Sequence, residues 1–258
     1  MNERPTESIE IERKYEVPTA LALPDAAALA ATGFAAAEPR TFALRAVYYD
    51  TEHGDLAQHR LALRRREGGP DAGWHLKHKN RTGAHEFQWP ESDEMPAGLR
   101  DEVARRIGAE PELTPLAELR TERTVVLLHS APSTPSAPRI PDVPPRGGAE
   151  TAVIELVDDR VRTHDLRTGA HRAWREWEAE LVPGADTALL DVLEALLCEA
   201  GASASPSPAK IARATGRLVP WALAAGADDA TLARLRAMEA DDLAAGLAAD
   251  AQNDPAPR

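Results

Sequence analysis

The sequence is poor in features that would mark several protein classes. Its 258 residues hold a single cysteine, Cys198, so no internal disulfide can form, which fits a reducing compartment. Aromatics are 4% of the chain, so a core must lean on Leu, Val and Ala with a few Trp. Positive charge is in deficit: 30 Lys and Arg against 42 Asp and Glu give a net charge of -12, which argues against a nucleic-acid-binding coat. No run approaches the roughly 18 apolar residues of a membrane span. Residues 1–16 carry charges every few positions and lack the apolar stretch of a signal peptide. These absences predict a soluble, cytoplasmic protein with no nucleic-acid and no membrane partner. No internal repeat is visible.

What is present is globular in composition, 43% apolar and 28% charged. The length suits one large domain or two small ones at roughly 150 residues each. Residues 8–17 alternate, with Glu10, Glu12 and Lys14 on one face and Ile9, Ile11 and Tyr15 on the other, the period of a strand. Similar signals predict strands at 42–49, 61–67, 73–80, 86–89, 123–129, 151–157, 160–163 and 173–182. Helices are expected at 21–32, at 99–107 with Gly108 as its stop, at 186–199 and at 228–249. Eight or nine strands with few helices between them predict a mainly β, α+β chain built on an antiparallel sheet or barrel. Residues 130–149, rich in proline and serine, read as a flexible excursion between two strands. Residues 203–207 read as a linker and 252–258 as a frayed tail.

Charge is sorted along these strands. Residues 60–81 carry Arg60, Arg64, Arg65, Arg66, Lys77, Lys79 and Arg81 against only Glu67 and Asp71. Arg64 and Arg66 share a strand face, as do Lys77 and Lys79, because side chains two apart point the same way. Leu63 and Leu76 fall on the opposite faces. Glu176, Glu178 and Glu180 alternate likewise, with Trp177 and Leu181 opposite, and Glu155 and Asp159 repeat the spacing. Carboxylates so placed repel one another unless cations intervene. In a closed barrel these strands would set an acidic wall against a basic one, with a metal ion tying the acidic side to a polyanion such as a polyphosphate. Oxygen-only ligation favours Mg²⁺ or Mn²⁺ over zinc, and the histidines show no paired metal spacing. Trp74, Trp89, Trp174, Trp177 and Trp221 read as packing residues. His75 and His78 sit among basic residues and could touch phosphate, an exposed role being favoured, and Cys198 reads as inert on an apolar helix face.

Glu10-Ile11-Glu12-Arg13-Lys14 is similar to the Glu-x-Glu-x-Lys signature of the CYTH superfamily, the triphosphate tunnel metalloenzymes. The motifs that follow keep that family's order. Leu63-Arg64-Arg65-Arg66 resembles its Arg-x-Arg strand, Leu76-Lys77-His78-Lys79 its Leu-Lys strand, and Arg123 its later lone arginine. Residues 176–181 resemble its terminal Glu-x-Glu-x-Glu-Leu strand, and Lys210 its C-terminal lysine. The resemblance covers about residues 8–215. It implies an eight-stranded antiparallel β-barrel forming a tunnel with peripheral helices, here residues 1–220, followed by a helical extension and tail at 221–258. It also implies Glu10, Glu12, Asp159, Glu178 and Glu180 as ligands of Mg²⁺ or Mn²⁺, with Glu176 and Glu155 as second-tier members. Glu10, Glu12 and Lys14 would be catalytic, and Lys14, Arg64, Arg66, Lys77, Lys79, Arg123 and Lys210 would clamp phosphate oxygens. Either Asp158 or Asp159 should line the tunnel, alternation with Glu155 favouring Asp159, and Arg81 and Glu86 would extend the charged walls. One departure is that Ala209 precedes Lys210 where the family often has serine, which removes a hydroxyl contact.

The activity this resemblance implies is metal-dependent hydrolysis of inorganic triphosphate to diphosphate and phosphate, since no aromatic pair is evident to bracket a base or a thiazole. Rivals within the family are thiamine triphosphate, nucleoside triphosphates or a capped-RNA 5′ end as substrate, and adenylyl cyclase chemistry. A rival from another class is a non-catalytic polyphosphate- or nucleotide-binding module, which could lose its carboxylates; here both carboxylate strands are complete. Three roles stay open for helix 228–249: a remnant of the helical CHAD domain that residues 231–236 faintly resemble, a homodimer contact, or a cap on the barrel.

Overall fold

The computed structural model describes residues 4–79, 83–130 and 151–253. Arg81, nearly all of segment 130–149 and the end of the C-terminal tail lie outside the described residues. The first segment forms β1 (Thr6–Glu10) and β2 (Glu12–Glu16). Helix α1 (Ala26–Ala31), the short β3 (Phe34–Ala36) and the long β4 (Arg40–Asp50) follow. Helix α2 (Asp55–Gln58) leads into a meander of β5 (Leu61–Glu67), β6 (Gly73–Lys79) and β7 (Ala84–Trp89). After α3 (Ala97–Ile107) come β8 (Thr114–Ser130), β9 (Ala152–Asp165) and β10 (His171–Leu181). The chain ends with α4 (Ala188–Ala200), β11 (Ser203–Ala204), α5 (Lys210–Ala214), α6 (Leu218–Ala224) and α7 (Asp229–Asn253).

All strands join one sheet in the order β1-β7-β6-β5-β4-β8-β9-β10-β2-β11, with β3 on β8. β1 and β2 stand near opposite ends of this order although only Ile11 separates them. β1 pairs antiparallel with β7, and β2 with β10. A single segment thus borders both sides of the sheet and curls it into a barrel. Counted once, with the short β3 and β11 set aside, it completes the expected eight strands.

Several sequence boundaries are corrected. The strand expected unbroken over 8–17 divides at Ile11, where it leaves one neighbour for the other, and Ile9 is 64% exposed. The two strands expected at 151–157 and 160–163 are one, because Asp158 and Asp159 pair in the ladder with Thr124 and Arg123 instead of turning. The strand expected at 123–129 starts at Thr114. The helix expected over 21–32 shrinks to Ala26–Ala31, since Pro24 disfavours helix before it and the Asp25 side chain accepts the Ala28 N–H at 2.8 Å. β11 falls within the expected linker.

Two apolar layers brace the barrel from outside. Leu190, Leu193 and Leu197 of α4 pack on Tyr15, Trp177, Ala179, Leu181, Ile154 and Leu156. Leu99 and Val103 of α3 pack on Leu61, Leu63, Trp74, Leu76, Phe87 and Trp89. These are the strand faces opposite the charges, so the alternation puts charge inside and apolar residues outside. A third cluster joins Ala46, Tyr48, Leu119, Val161 and Trp174 to Ala214 of α5. Cys198 is exposed, not on the apolar face of α4. Among the described residues no helix is long and apolar enough to cross a membrane.

Helix α7 is fastened over this end of the barrel. Arg213 of α5 donates to both carboxylate oxygens of Asp242 at 2.7 and 2.9 Å and to Glu16 of β2 at 2.8 and 3.0 Å. Gly246 brings α7 hard against β10: a Cβ there would lie 2.3 Å from the His171 carbonyl oxygen. Gly246→Ala should therefore destabilise the fold by about 1–3 kcal/mol through overpacking, read as a lower urea midpoint. Wild-type stability would show that α7 does not sit this close to β10.

Candidate functional site

The strand register carries the lining round the barrel, because directly paired residues point to one face. Glu12 lies beside Glu180 and Glu180 beside Glu155; Lys14 lies beside Glu178, and Glu176 and Arg123 flank Asp159. On the other side Tyr48 pairs with Arg64, Arg64 with His75, and Lys77 with Glu86. These side chains enclose a cavity of about 500 Å³, lined by Glu12, Lys14, Arg64, Arg66, Lys77, Lys79, Glu86, Arg123, Glu155, Glu178, Glu180 and Lys210 among others. Arg65 points away, to Asp93. Asp158 also points away, held by Arg175 through two hydrogen bonds of 2.8 Å, whereas Asp159 is fully buried on the inner side.

The carboxylates form two triads whose oxygens lie within 4.8 Å of one another, Glu10-Glu12-Glu180 and Asp159-Glu176-Glu178. They differ in the cations they already hold. Lys210 lies 2.5 Å from Asp159 and 3.0 Å from both Glu176 and Glu178. Arg123 donates to Asp159 at 2.8 and 2.6 Å and to Glu178 at 2.9 Å, and Lys14 also reaches Glu178. Burial opposes charge on Asp159 and Glu178, but these cations outweigh it and hold both carboxyls below their usual range.

The first triad is short of positive charge. Lys77 reaches Glu10, and Lys14 lies 2.9 Å from Glu12. Burial first, then hydrogen bonding with Glu86, pushes Glu10 up to about 8 against the pull of Lys77. Burial, with Glu12, Glu178 and Glu155 nearby, pushes Glu180 up to about 7. Glu12 goes the other way, since Lys14 and Lys77 outweigh its burial. Two of the three carboxyls thus keep protons near neutrality. Hard oxygen ligands in this number, two of them with exchangeable protons, fit a divalent cation.

The basic wall is only partly matched by anions: Lys77 pairs with Glu10 and Arg66 with Asp71. Among the described residues Arg64 makes only long contacts, 3.4 Å to the Tyr48 hydroxyl and 3.5 Å to Glu86. The Nε atoms of Arg64 and Arg66 are buried without a partner among the described residues. Burial and the neighbouring Arg64 and Arg123 disfavour charge on Arg66. Lys79 donates to the Pro208 carbonyl at 2.7 Å, and its pKa is lowered chiefly by burial. Such a wall can accept a polyanion.

The barrel therefore gathers the residues expected from the sequence, apart from Arg81, which lies outside the described residues. Lys210 lines the cavity with its ammonium held among three carboxylates. Sequence reasoning missed Tyr48, Asp71 and Glu16. It also placed His75 on the surface, whereas His75 is 1% exposed, 3.2 Å from Glu86. Trp221, expected only to pack, is half-buried and lines the cavity.

Two curated proteins from two strains of Mycobacterium tuberculosis, both called uncharacterized, are 35% identical to this chain over 240 residues. The match spans 86% of this chain and 43% of theirs, so the chain covers less than half the length of those relatives. A solved structure of a putative adenylate cyclase from Bacillus halodurans shares the fold, with a TM-score of 0.50 at 18% identity over 80% of this chain and 97% of that one. The sequence model of the CYTH domain matches residues 8–215, from the first strand through α5, and the chain belongs to that family.

Proposed function

We propose that the protein hydrolyses inorganic triphosphate to diphosphate and phosphate, using a divalent cation, inside the barrel. The observation that carries this reading is one cavity lined both by Glu12 and Glu180 of a carboxylate triad and by buried Arg64 and Arg66, whose Nε atoms lack a partner among the described residues. Glu10, Glu12 and Glu180 would hold the cation. Bound there, Mg²⁺ or Mn²⁺ would neutralise charge on phosphate oxygens and orient water. Asp159 and Glu178, also expected as ligands, already hold Arg123, Lys14 and Lys210; in this reading they fix the clamp in position.

Arg64, Arg66 and Arg123 present planar, bidentate donors to phosphate oxygens, while Lys77 and Lys79 act as mobile point charges. Lys14 lies between the two triads and would bridge the terminal phosphate to both. Glu155 lines the cavity, holds no ion pair among the described residues, and has its pKa raised by burial. It is suited to take the proton of the attacking water as the bond between the terminal phosphorus and its bridging oxygen breaks. Diphosphate then leaves without needing a strong acid.

One observation favours a second reading. The cavity continues past the clamp to Arg60, Leu61, Arg217 and Trp221. Its volume falls within the roughly 300–1,000 Å³ of sites for drug-sized ligands. That room would take the organic part of a thiamine or nucleoside triphosphate.

Phosphate release from inorganic triphosphate, with and without Mg²⁺ or Mn²⁺ and beside ATP and thiamine triphosphate, separates these readings. Metal-dependent release with a strong preference for inorganic triphosphate is the expected result, and a preference for an organic triphosphate would install the second reading. Lys14→Ala and Glu12→Ala should each lower kcat by about 10²–10³-fold with circular dichroism unchanged; near-normal turnover in both would remove the site. Mn²⁺ binding followed by calorimetry should tighten as pH rises through 7 and 8, with proton release, because Glu10 and Glu180 must lose their protons to bind it. A pH-independent affinity over that window would exclude this triad as the ligand set.

A further inference from the structure

Arg66 is held unlike the other cations of the cavity. Lys14, Lys77, Arg123 and Lys210 pair with carboxylates that stand on strands of the wall. Arg66, 6% exposed, pairs instead with Asp71. Asp71 belongs to no strand. It stands in the turn between β5 and β6, and its side chain reaches into the cavity lining. Arg64 and Arg123, two further members of the proposed clamp, also act on its carboxylate.

The backbone of this turn is fixed. Gly68 has φ +77, and a Cβ there would lie 2.3 Å from the Ala43 carbonyl oxygen, so the turn sits against β4 at a position that demands glycine. At its other end, His75 Nε2 donates to the Asp71 carbonyl at 2.8 Å. The Asp71 side chain itself is 38% exposed, so it can rotate outward while the backbone stays in place. To a guanidinium, a carboxylate and a phosphate group present the same thing: paired oxygens sharing negative charge.

We propose that Asp71 is an internal ligand of the phosphate clamp, a carboxylate that occupies Arg66 in the empty barrel and that an incoming phosphate group displaces. The proposal rests on the triphosphate reading above. It makes Asp71 a determinant of affinity: displacement costs every anion that reaches Arg66 the same amount. A triphosphate, with contacts to several cations, overcomes that cost; a single phosphate with few contacts does not. Substrate is thereby retained and product released. A cost imposed equally on bound substrate and transition state appears in KM, not in kcat.

The test is calorimetric titration of inorganic triphosphate into wild type, Asp71→Asn and Asp71→Ala in EDTA, where nothing turns over, followed by KM measurement with metal. Both variants should bind triphosphate about tenfold more tightly, the size of one exposed charge-assisted hydrogen bond. KM should fall by a similar factor without a matching rise in kcat, and orthophosphate should become a stronger competitive inhibitor. Equal or weaker triphosphate binding in both variants, with wild-type circular dichroism and melting temperature, overturns the proposal. A folded wild-type protein that binds no triphosphate, with or without metal, overturns the triphosphate reading itself. Two substitutions of different shape keep the outcome independent of how either one alters the turn.

Discussion

The Lys210 ammonium meets three buried carboxylates, those of Asp159, Glu176 and Glu178, from the first residue of a short helix. Three carboxylates in a low-dielectric interior are untenable without such a partner. The contact brings α5 into the end of the barrel, where Ala214 completes an apolar cluster with Ala46, Leu119 and Trp174. Arg213, three residues on, joins α5 to Glu16 in the wall and to Asp242 on α7. The C-terminal helices are therefore held by the charges of the interior as much as by apolar packing. The cation that neutralises the wall also anchors the piece that closes it.

Two triads with the same number of carboxylates thus have their charge met in different ways. Asp159-Glu176-Glu178 has its counter-charge supplied from within the chain, so it serves as a rigid support for Arg123 and Lys14. Glu10-Glu12-Glu180 has Lys77 and Lys14 at its margin and keeps protons instead. Carboxylate count does not distinguish them. The number of cations within reach does; in the proposed reading one cluster supports the clamp and the other exchanges protons for a metal ion.

Which residues of the lining share a face was legible from the strand period, and that this face turns inward came from the family resemblance. Arg64 with Arg66, Lys77 with Lys79, and Glu176 with Glu178 and Glu180 must share a face in any straight strand, and Leu63, Leu76, Trp177 and Leu181 must take the other. The preference for Asp159 over Asp158 came from the same period. What stayed hidden depends on contacts between distant segments or on pieces too short to show a period. No glycine or proline marks the break at Ile11; it exists because the barrel has two edges to join. Asp158 and Asp159 resemble a turn locally and are held in a strand by partners on either side. His75 is buried by Glu86 on β7, Lys210 is captured by strands far earlier in the chain, and Asp71 enters the cavity from a turn that in sequence looks like any Gly-Pro-Asp connection.

The broken first strand also constrains how the molecule comes to be. Its second half pairs with β10 and, at its end, with the still later β11, and Lys14 meets Glu178 across 164 positions of chain. Closing a loop of that length is a late, entropically demanding step, typical of folds with high contact order. The meander from β5 to β7 can form from local contacts, but the seam waits for the last long strand. Because the residues at that seam are Glu12, Lys14, Glu178 and Glu180, assembly of the charged cavity coincides with completion of the barrel. A nascent chain that stops before β10 would hold the arginines of the basic wall facing solvent, with no cavity to direct them.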